Sequence, residues 1–271
     1  MLSRLKEVGL PEVIEDSSGN AGCSIAAYAA AANIRSKIFV PATTAPGKLI
    51  QIRSHGAEVH QISGSRQATA EAALNLASRT QTYYASHCWD PYFFEGTKTV
   101  AFELWEDLHF KAPDTLILPV GNGTLFLGAF LGFQELLQAE LIDRLPRLIG
   151  VQTETCCPLF TAFHKLKSKI PQATANLAAG IAIPSPLRAR EILSATSASK
   201  GTLLTVNERE IAEGFQQLSS QGFFVEPTSA VSSAGFKKLL ASESSLGVVA
   251  TVLTGHGLKS IPQIEQLLSL P

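Results

Sequence analysis

The stretch Glu15-Asp16-Ser17-Ser18-Gly19-Asn20-Ala21-Gly22 decides the fold, because it is a polar turn between two unlike segments. Glu12-Val13-Ile14 before it is typical of a strand end, and the Ala-rich run from Cys23 to Ala32 after it has high helix propensity. Parallel α/β sheets build sites from a strand, a turn and a helix in this order. The hydroxyls and N–H groups of such a turn favour a carboxylate or phosphate, although an ordinary helix cap explains them equally well.

Outward from this turn, the pattern predicts an alternation of strands and helices. The predicted helices cover residues 2–8, 48–55, 67–78, 97–108, 125–140, 229–240 and a helix that Asn207 caps and that runs through Gln221. The predicted strands cover 36–41, 57–62, 82–86, 114–120, 147–152, an edge strand at 202–206 and a last, buried strand at 247–253. This alternation indicates α/β architecture with parallel sheets. Residues 89–94 interrupt it, which predicts a small domain over 1–90 and a larger one over 91–271.

Composition describes a globular protein with no charge bias. Apolar residues make up 45% of the 271 positions, and 22 basic residues stand against 23 acidic ones. This balance gives no support for a nucleic-acid partner or an anionic membrane surface. The N-terminus does not resemble a signal peptide, and no apolar run reaches the length of a membrane span, so we expect a cytoplasmic protein. Cysteines and histidines show no metal-ligand spacing, so we expect reduced thiols and no metal.

Two later turns share the design of the first. Gly121-Asn122-Gly123-Thr124 follows a buried strand and precedes a helix, which suits a phosphate as well as simple packing. It lacks the spacing of dinucleotide-binding and P-loop motifs. Thr254-Gly255-His256-Gly257 follows the last strand, and no nucleophile elbow surrounds Thr254. A lone histidine such as His256 is more often structural than catalytic, and His87 beside Cys88 is discounted because sequence neighbours rarely face each other.

Six motifs follow one another along the chain: Glu15–Gly22, Phe94–Thr99, Val120–Thr124, Ala179–Ile181, Glu226–Ala230 and Leu253–Lys259. In this order they resemble the motifs of the tryptophan-synthase-β-like, fold type II family of pyridoxal-phosphate enzymes, and within it those of the threonine synthases most closely. The resemblance covers nearly the whole chain and implies two open parallel-sheet domains, pyridoxal 5'-phosphate as cofactor, an amino acid as substrate and a homodimer.

The resemblance also implies roles for individual residues. Ser17, Ser18 and Gly19 would hold the carboxylate of the substrate, and Asn20 would bond the phenolic oxygen of the cofactor. Thr254 would meet the pyridine nitrogen with a hydroxyl. The cofactor's phosphate would lie against Gly121, Asn122, Gly123 and Thr124. The family's lysine that binds the cofactor covalently lies in a Ser-x-Lys motif that we expect upstream of Met1, so no catalytic residue is predicted in this N-terminally incomplete chain, and Lys6 is interpreted as a solvated side chain.

The implied reaction is β- or γ-elimination or replacement on an amino acid, as in the conversion of O-phosphohomoserine to threonine. Cys88 and Phe93 occupy the positions where threonine synthases carry the serine and arginine that hold the substrate phosphate. Neither side chain can make the bidentate contact of an arginine, so a different amino acid is equally open. Two alternatives therefore stand: a dehydratase or racemase of the same fold, and a non-catalytic relative that retains only the scaffold.

Overall fold

Each half of the chain folds around its own parallel sheet of four strands. The computed structural model describes residues 1–167, 176–243 and 245–270. These form two units, Met1–Phe93 (unit 1) and Phe94–Pro271 (unit 2). Both sheets are parallel throughout and have helices connecting their strands, which confirms the predicted α/β class with two open parallel sheets.

Unit 1 contains a sheet with the strand order β3-β2-β1-β4. Its strands are β1 (Glu12–Glu15), β2 (Arg35–Pro41), β3 (Glu58–Ile62) and β4 (Tyr83–Tyr84). Its helices are α1 (Leu2–Glu7), α2 (Asn20–Ala32), α3 (Pro46–Ser54) and α4 (Arg66–Thr80), and α5 (Pro91–Thr97) contains the unit boundary. The chain moves from β1 through β2 to β3 on one side and then returns to the other side of β1. The topological switch point therefore lies between β1 and β4.

Neighbouring residues of β1 enter different hydrophobic clusters of unit 1. Val13 packs in a cluster with Ile25 and other residues of α2, whereas Ile14 packs with Ala73 and Ala77 of α4. Both β1 side chains are fully buried. Successive side chains of a strand point to opposite faces, so this short apolar run is covered by helices on both sides.

Unit 2 repeats the plan with the strand order β7-β6-β5-β8. Its strands are β5 (Thr115–Pro119), β6 (Arg147–Thr153), β7 (Thr202–Val206) and β8 (Val249–Thr251). Its helices are α6 (Thr99–Asp107), α7 (Thr124–Gln138), α8 (Pro158–Phe163), α9 (Ala189–Ala198), α10 (Glu208–Ser220), α11 (Pro227–Ser242) and α12 (Ile261–Leu268), with 3-10 turns at Ala179–Ile181 and Gly257–Lys259. All residues of β5 are buried, and the switch point lies between β5 and β8.

Three predicted elements differ from the structure. The last strand was expected to be buried over 247–253, but β8 covers only Val249–Thr251. Among the described residues it pairs only with β5, at a sheet edge, which leaves Thr251 exposed. The predicted fourth strand shortens to Tyr83–Tyr84, and α6 begins at Thr99 because α5 occupies the preceding residues. Part of the predicted irregular stretch, 168–175, lies outside the described residues. In the parts of the chain that the structure describes, no helix combines the length and apolarity needed to cross a membrane.

Candidate functional site

The polar turns singled out in the sequence lie at the two switch points. In unit 1 the turn between β1 and α2 follows the first strand of its sheet, next to the end of β4. In unit 2 the turn between β5 and α7 holds the same place, next to the end of β8. Ligands of open parallel sheets bind outside the carboxyl ends of the strands at such points. The topology therefore predicts one candidate site in each unit.

The turn of unit 1 is held by its own serine and by a glycine in the helix. Ser17 is buried, and its hydroxyl oxygen accepts a hydrogen bond from the N–H of Gly19 at 3.2 Å. A Cβ on Gly22 would collide with the carbonyl oxygen of Ser17, so only glycine lets the helix approach the turn this closely. No described side chain caps α2, and its first turn has no acidic residue. This helix N-terminus therefore suits a bound carboxylate.

The turn of unit 2 places two glycines in tight surroundings before α7. Gly123 has a φ of +78°, and a Cβ there would collide with the side chain of Ile192. A Cβ on Gly121 would come within 2.9 Å of Cα of Ile181. Within the described chain, no side chain caps α7 and no acidic residue lies in its first turn. The backbone cradle at this N-terminus thus fits a phosphate group.

The motif Phe94–Thr99 supports the start of α7. The hydroxyl of Thr97 donates a hydrogen bond to the carbonyl oxygen of Thr124 at 3.1 Å. Gly128, one turn further along α7, leaves no room for a Cβ against Thr97. The motif therefore fixes the position of the α7 N-terminus through side-chain contact and close backbone packing.

Thr254, after β8, lies in a hydrogen-bonded group at the other side of this switch point. Its hydroxyl is 2.9 Å from the hydroxyl of Ser229 and 3.4 Å from Oε1 of Glu226. The Ser229 hydroxyl also accepts from the N–H of Gly255 at 3.1 Å. These contacts orient a neutral hydroxyl at the strand end. His256, by contrast, is exposed and its Nδ1 accepts from the N–H of Leu258 at 3.2 Å, so it caps a turn as predicted for a structural histidine.

A buried polar network behind the unit 1 turn escaped the sequence analysis. Oε1 of Glu15, the last residue of β1, lies 2.5 Å from Nδ1 of His87, which follows β4. The hydroxyl of Tyr84 donates to Oδ1 of Asp16 at 2.7 Å. Glu15, Asp16 and His87 are all buried. The available signal was topological: a prediction that β4 returns to the side of β1 would have brought these strand ends together.

The Glu15–His87 pair holds a proton at neutral pH. Burial alone lowers the pKa of His87, but the Glu15 carboxylate and the Cys88 side chain outweigh it and raise the pKa to about 10. Burial raises the pKa of Glu15 as well, against the opposing effect of His87. The raised pKa of His87 and the raised pKa of Glu15 together describe one proton that is shared between two strongly coupled groups. The pair therefore joins the ends of β1 and β4 through a short, charge-assisted hydrogen bond.

The other residues singled out in the sequence have the following surroundings. Cys88 is buried, and its side chain helps to raise the pKa of His87, so these two neighbours interact although the sequence interpretation discounted such a pair. The ring of Phe93 meets the ring of His87 edge-on, with centroids 6.1 Å apart. Lys6 is exposed on α1. All four cysteines are free thiols.

Comparison with known proteins finds relatives that match most of this chain. The threonine synthase of Methanocaldococcus jannaschii is 35% identical over 268 residues, covering 95% of this chain and 65% of the relative. The threonine synthase of Mycobacterium bovis is 36% identical over 256 residues, covering 93% of this chain and 69% of the relative. The chain spans 65% of the length of the first two curated relatives it matches, which are both threonine synthases.

Solved structures share the fold at lower sequence identity. The processed form of threonine deaminase isoform 2 from Solanum lycopersicum has a TM-score of 0.80 at 20% identity, covering 97% of this chain and 75% of that one. A fungal L-serine ammonia-lyase from Rhizomucor miehei has a TM-score of 0.83 at 19% identity, covering 98% and 84%. A family model described as "Pyridoxal-phosphate dependent enzyme" matches residues 1–255. The predicted family and its cofactor are confirmed, and the chain belongs to the family of pyridoxal-phosphate-dependent enzymes.

Proposed function

We propose that this chain supplies the cofactor-binding and substrate-binding segments of an enzyme that carries out β- or γ-elimination or replacement on an amino acid. One observation carries the proposal: each sheet presents, at its switch point, a helix N-terminus that no described side chain caps. The motifs at both helices resemble those of the family. Threonine formation is the first candidate reaction, because relatives named threonine synthase are 35% and 36% identical.

The unit 2 turn and Thr254 fit the cofactor. In the proposal, the N–H groups of Gly121, Asn122, Gly123 and Thr124 hold the phosphate, where the N-terminal end of α7 favours negative charge. The Thr254 hydroxyl, oriented by Ser229 and Glu226, meets the ring nitrogen without adding a charge. Asn20 bonds the phenolic oxygen. When bound, pyridoxal phosphate supplies an electron sink for the bond that breaks in the substrate.

The unit 1 turn fits the carboxylate that every amino-acid substrate carries. Ser17, Ser18 and Gly19 lie at the N-terminus of α2, where hydroxyls and N–H groups favour an anion. Holding the carboxylate fixes the orientation of the substrate, which is the main contribution that binding residues make to such a reaction. We therefore assign these three residues to substrate binding.

The nature of the amino-acid side chain is the open part of the proposal. Cys88 is buried and Phe93 packs against His87, so neither position carries a cation for a phosphorylated substrate. The phosphorylated substrate of the first candidate would therefore find no cation at these two positions, which keeps a threonine or serine dehydratase as the second candidate. Release of phosphate from O-phosphohomoserine would support threonine synthesis, whereas release of a keto acid from threonine or serine would support the dehydratase.

The proposal also covers the cellular compartment and the oligomeric state of the enzyme. Four free thiols suit the reducing cytoplasm, where we place the protein. A homodimer is proposed from the family resemblance. The lysine that binds the cofactor covalently is not assigned to any position, since Lys6 is an exposed residue of α1.

The first test measures cofactor binding directly. Pyridoxal phosphate is titrated against the wild type and the Asn20→Ala variant, with retention followed by equilibrium dialysis and absorbance. Loss of one hydrogen bond of about 1.4 kcal/mol predicts a roughly tenfold weaker affinity. Asn75→Ala is the matched control, because Asn75 is an exposed asparagine on α4 of the same unit.

Two results would contradict the assignments. If the wild type and Asn20→Ala bound pyridoxal phosphate with equal affinity, the proposed contact between Asn20 and the phenolic oxygen would be wrong. If the wild type bound pyridoxal and pyridoxal phosphate with equal affinity, the proposed phosphate site at α7 would be wrong. Only pyridoxal phosphate carries the anion that this helix N-terminus is proposed to hold.

A further inference from the structure

Three donor groups converge in the buried network at the switch point of unit 1. Glu15, Asp16 and His87 each offer one atom that could ligate a metal, and these atoms lie within 4.8 Å of one another. All three residues are buried. Two come from the end of β1 and one from the segment after β4, so the fold itself brings them together.

Two further observations indicate that this cluster contains an unsatisfied carboxylate oxygen and an excess of acidic side chains. Oε2 of Glu15 is buried and has no hydrogen-bond partner among the described residues, although Oε1 of the same carboxylate contacts His87. In residues 1–93, all of them described, the buried charged side chains are Glu15, Asp16, Asp90 and His87, and no lysine or arginine is buried. Buried carboxylates are normally paired or bound to a metal, because an uncompensated charge away from water is costly. A cation would compensate this excess of acidic groups.

We propose that Glu15, Asp16 and His87 bind one divalent transition-metal cation. Two carboxylates and one imidazole form a donor set that suits Mn²⁺ and Zn²⁺ better than a soft metal. This site is independent of the proposed enzymatic function, because none of its three residues is assigned to cofactor or substrate there.

The geometry accommodates an ion with small shifts. For metal–ligand distances of about 2.1 Å, ligands on opposite sides of an ion are about 4.2 Å apart and adjacent ones about 3 Å apart. The 4.8 Å span of the cluster therefore has to contract slightly. The 2.5 Å contact between Oε1 of Glu15 and Nδ1 of His87 has to lengthen, because the cation replaces the hydrogen that the two atoms share.

A bound ion would restrict the position of the unit 1 turn, in which Ser17, Ser18 and Gly19 are assigned to substrate binding. Asp16 directly precedes Ser17, and Glu15 ends β1, so coordination to His87 would tie the start of the turn to the segment after β4. Partners of this kind orient neighbouring functional groups through small restrictions of their position. The ion would act on the turn through its ligands rather than on the substrate itself.

The test is a titration of the full chain, free of affinity tags and treated with a chelator, with MnCl₂ followed by calorimetry and elemental analysis. Mn²⁺ is the better probe, because the four free thiols would compete for Zn²⁺. The variants are Glu15→Gln and His87→Gln, which remove one donor each with little change in volume. The matched controls are Glu58→Gln and His60→Gln, from a Glu–His ion pair on β3 with a 2.9 Å contact, in which Glu58 is exposed and His60 is half-buried.

We expect one Mn²⁺ per wild-type chain, affinity at least tenfold weaker in both ligand variants, and unchanged affinity in both controls. Circular dichroism checks that each variant is folded, and Asp16→Asn replaces any variant that is not. The proposal is overturned if the wild type binds no Mn²⁺ up to about 1 mM, or if the ligand variants bind as tightly as the wild type. Neither result requires pyridoxal phosphate, so the metal site and the proposed function can fail separately.

Discussion

Gly123 is a residue at which backbone conformation and packing impose the same requirement. Its φ of +78° lies in the left-handed region, and Ile192 occupies the space that a side chain would need. Ile192 is itself fully buried in the cluster that contains Phe126 and Leu118. A larger residue here would therefore disturb both the turn and the core beneath it.

The Gly123→Ala variant should lower the free energy of unfolding by roughly 2–4 kcal/mol. The left-handed conformation accounts for about 1–2 kcal/mol and the forced contact with Ile192 for the rest. Urea denaturation followed by circular dichroism measures the change. Gly96→Ala is the control: a Cβ at Gly96 meets no atom within 4 Å, and alanine there should be neutral or stabilising by up to about 1 kcal/mol. Equal losses in both variants would show that the packing argument is wrong.

Residue-scale prediction from sequence worked where the interaction is local. Asn207 was predicted to cap a helix, and its side chain accepts from the N–H of Glu210 at 3.0 Å while Glu210 reaches back to the N–H of Asn207. The contact between Glu15 and His87 spans 72 positions. No spacing rule reaches across the three helices and three strands between these residues, so this pair could only be found from the sheet order.

At the scale of elements, one ion pair joins a central strand to a helix end. Arg147, the first residue of β6, donates two hydrogen bonds to Glu243, just after α11, at 2.7 and 3.0 Å. These bonds and the arginine charge hold the pKa of Glu243 below its usual value. About a third of each side chain is exposed, so solvent screens the interaction and its contribution to stability is small.

The Glu243→Gln variant should be less stable than the wild type by about 0.5–1 kcal/mol at pH 7. A carboxylate with a depressed pKa contributes stability above its unfolded pKa, and that contribution is lost as the pH falls through the folded pKa. The difference should therefore disappear in acid. Unfolding curves from pH 7 to about pH 3 test this, with a usual glutamate pKa near 4.3 as the reference.

The control for this pH series is Glu265→Gln, which removes the same charge from an exposed position on α12. A stability gap between Glu243→Gln and the wild type that stayed constant at all pH values would rule out the ionised pair as its source.

Strand prediction at this scale succeeded for central strands and failed at an edge. Leu116, Ile117 and Leu118 in β5 are fully buried, as their apolar run indicated. The run around β8 is equally apolar, yet only Val249–Thr251 forms a strand, at the sheet edge. Composition reports how apolar a strand is, whereas burial depends on which neighbours the sheet order supplies.

At the scale of the whole molecule, each unit has its own core. Among the described residues, every hydrophobic cluster draws its buried members from one unit only. The chain also carries two tryptophans, Trp89 in unit 1 and Trp105 in unit 2. We propose the division predicted from sequence, 1–90 and 91–271, as the domain organisation, with separate cores as its physical basis.

Single-tryptophan variants can test whether the units unfold separately. With Trp105→Phe as background, Trp89 reports unit 1, and with Trp89→Phe, Trp105 reports unit 2. Ile38→Ala, a fully buried change in unit 1, should lower the stability reported by Trp89 by about 2–5 kcal/mol. It should change that reported by Trp105 by less than about 0.5 kcal/mol.

Ile149→Ala, a fully buried change in unit 2, is the reciprocal variant and should give the opposite pattern. Equal shifts of both tryptophan signals in both variants would mean that the chain unfolds as one cooperative body.

The positions of the two candidate turns were predictable from sequence because each turn is continuous in the chain. The turns at Ser17–Asn20 and Gly121–Thr124 fall where the motifs placed them, at the carboxyl ends of β1 and β5. The partners of these turns were not predictable, since Thr254 and His87 come from strands that return to the sheet much later. Strand order is therefore needed to tell which motifs, distant in sequence, lie next to each other in a site.

The two sheets are topological copies, since each places its own third, second, first and fourth strands side by side. Both copies concentrate every assigned group on the carboxyl edge. Among the described residues, the opposite edge carries connections from helices back to strands, such as residues 139–146 between α7 and β6. Those connections are the natural places to attach a fluorophore or insert a peptide when the chain is engineered, because they lie a full strand length away from the chemistry.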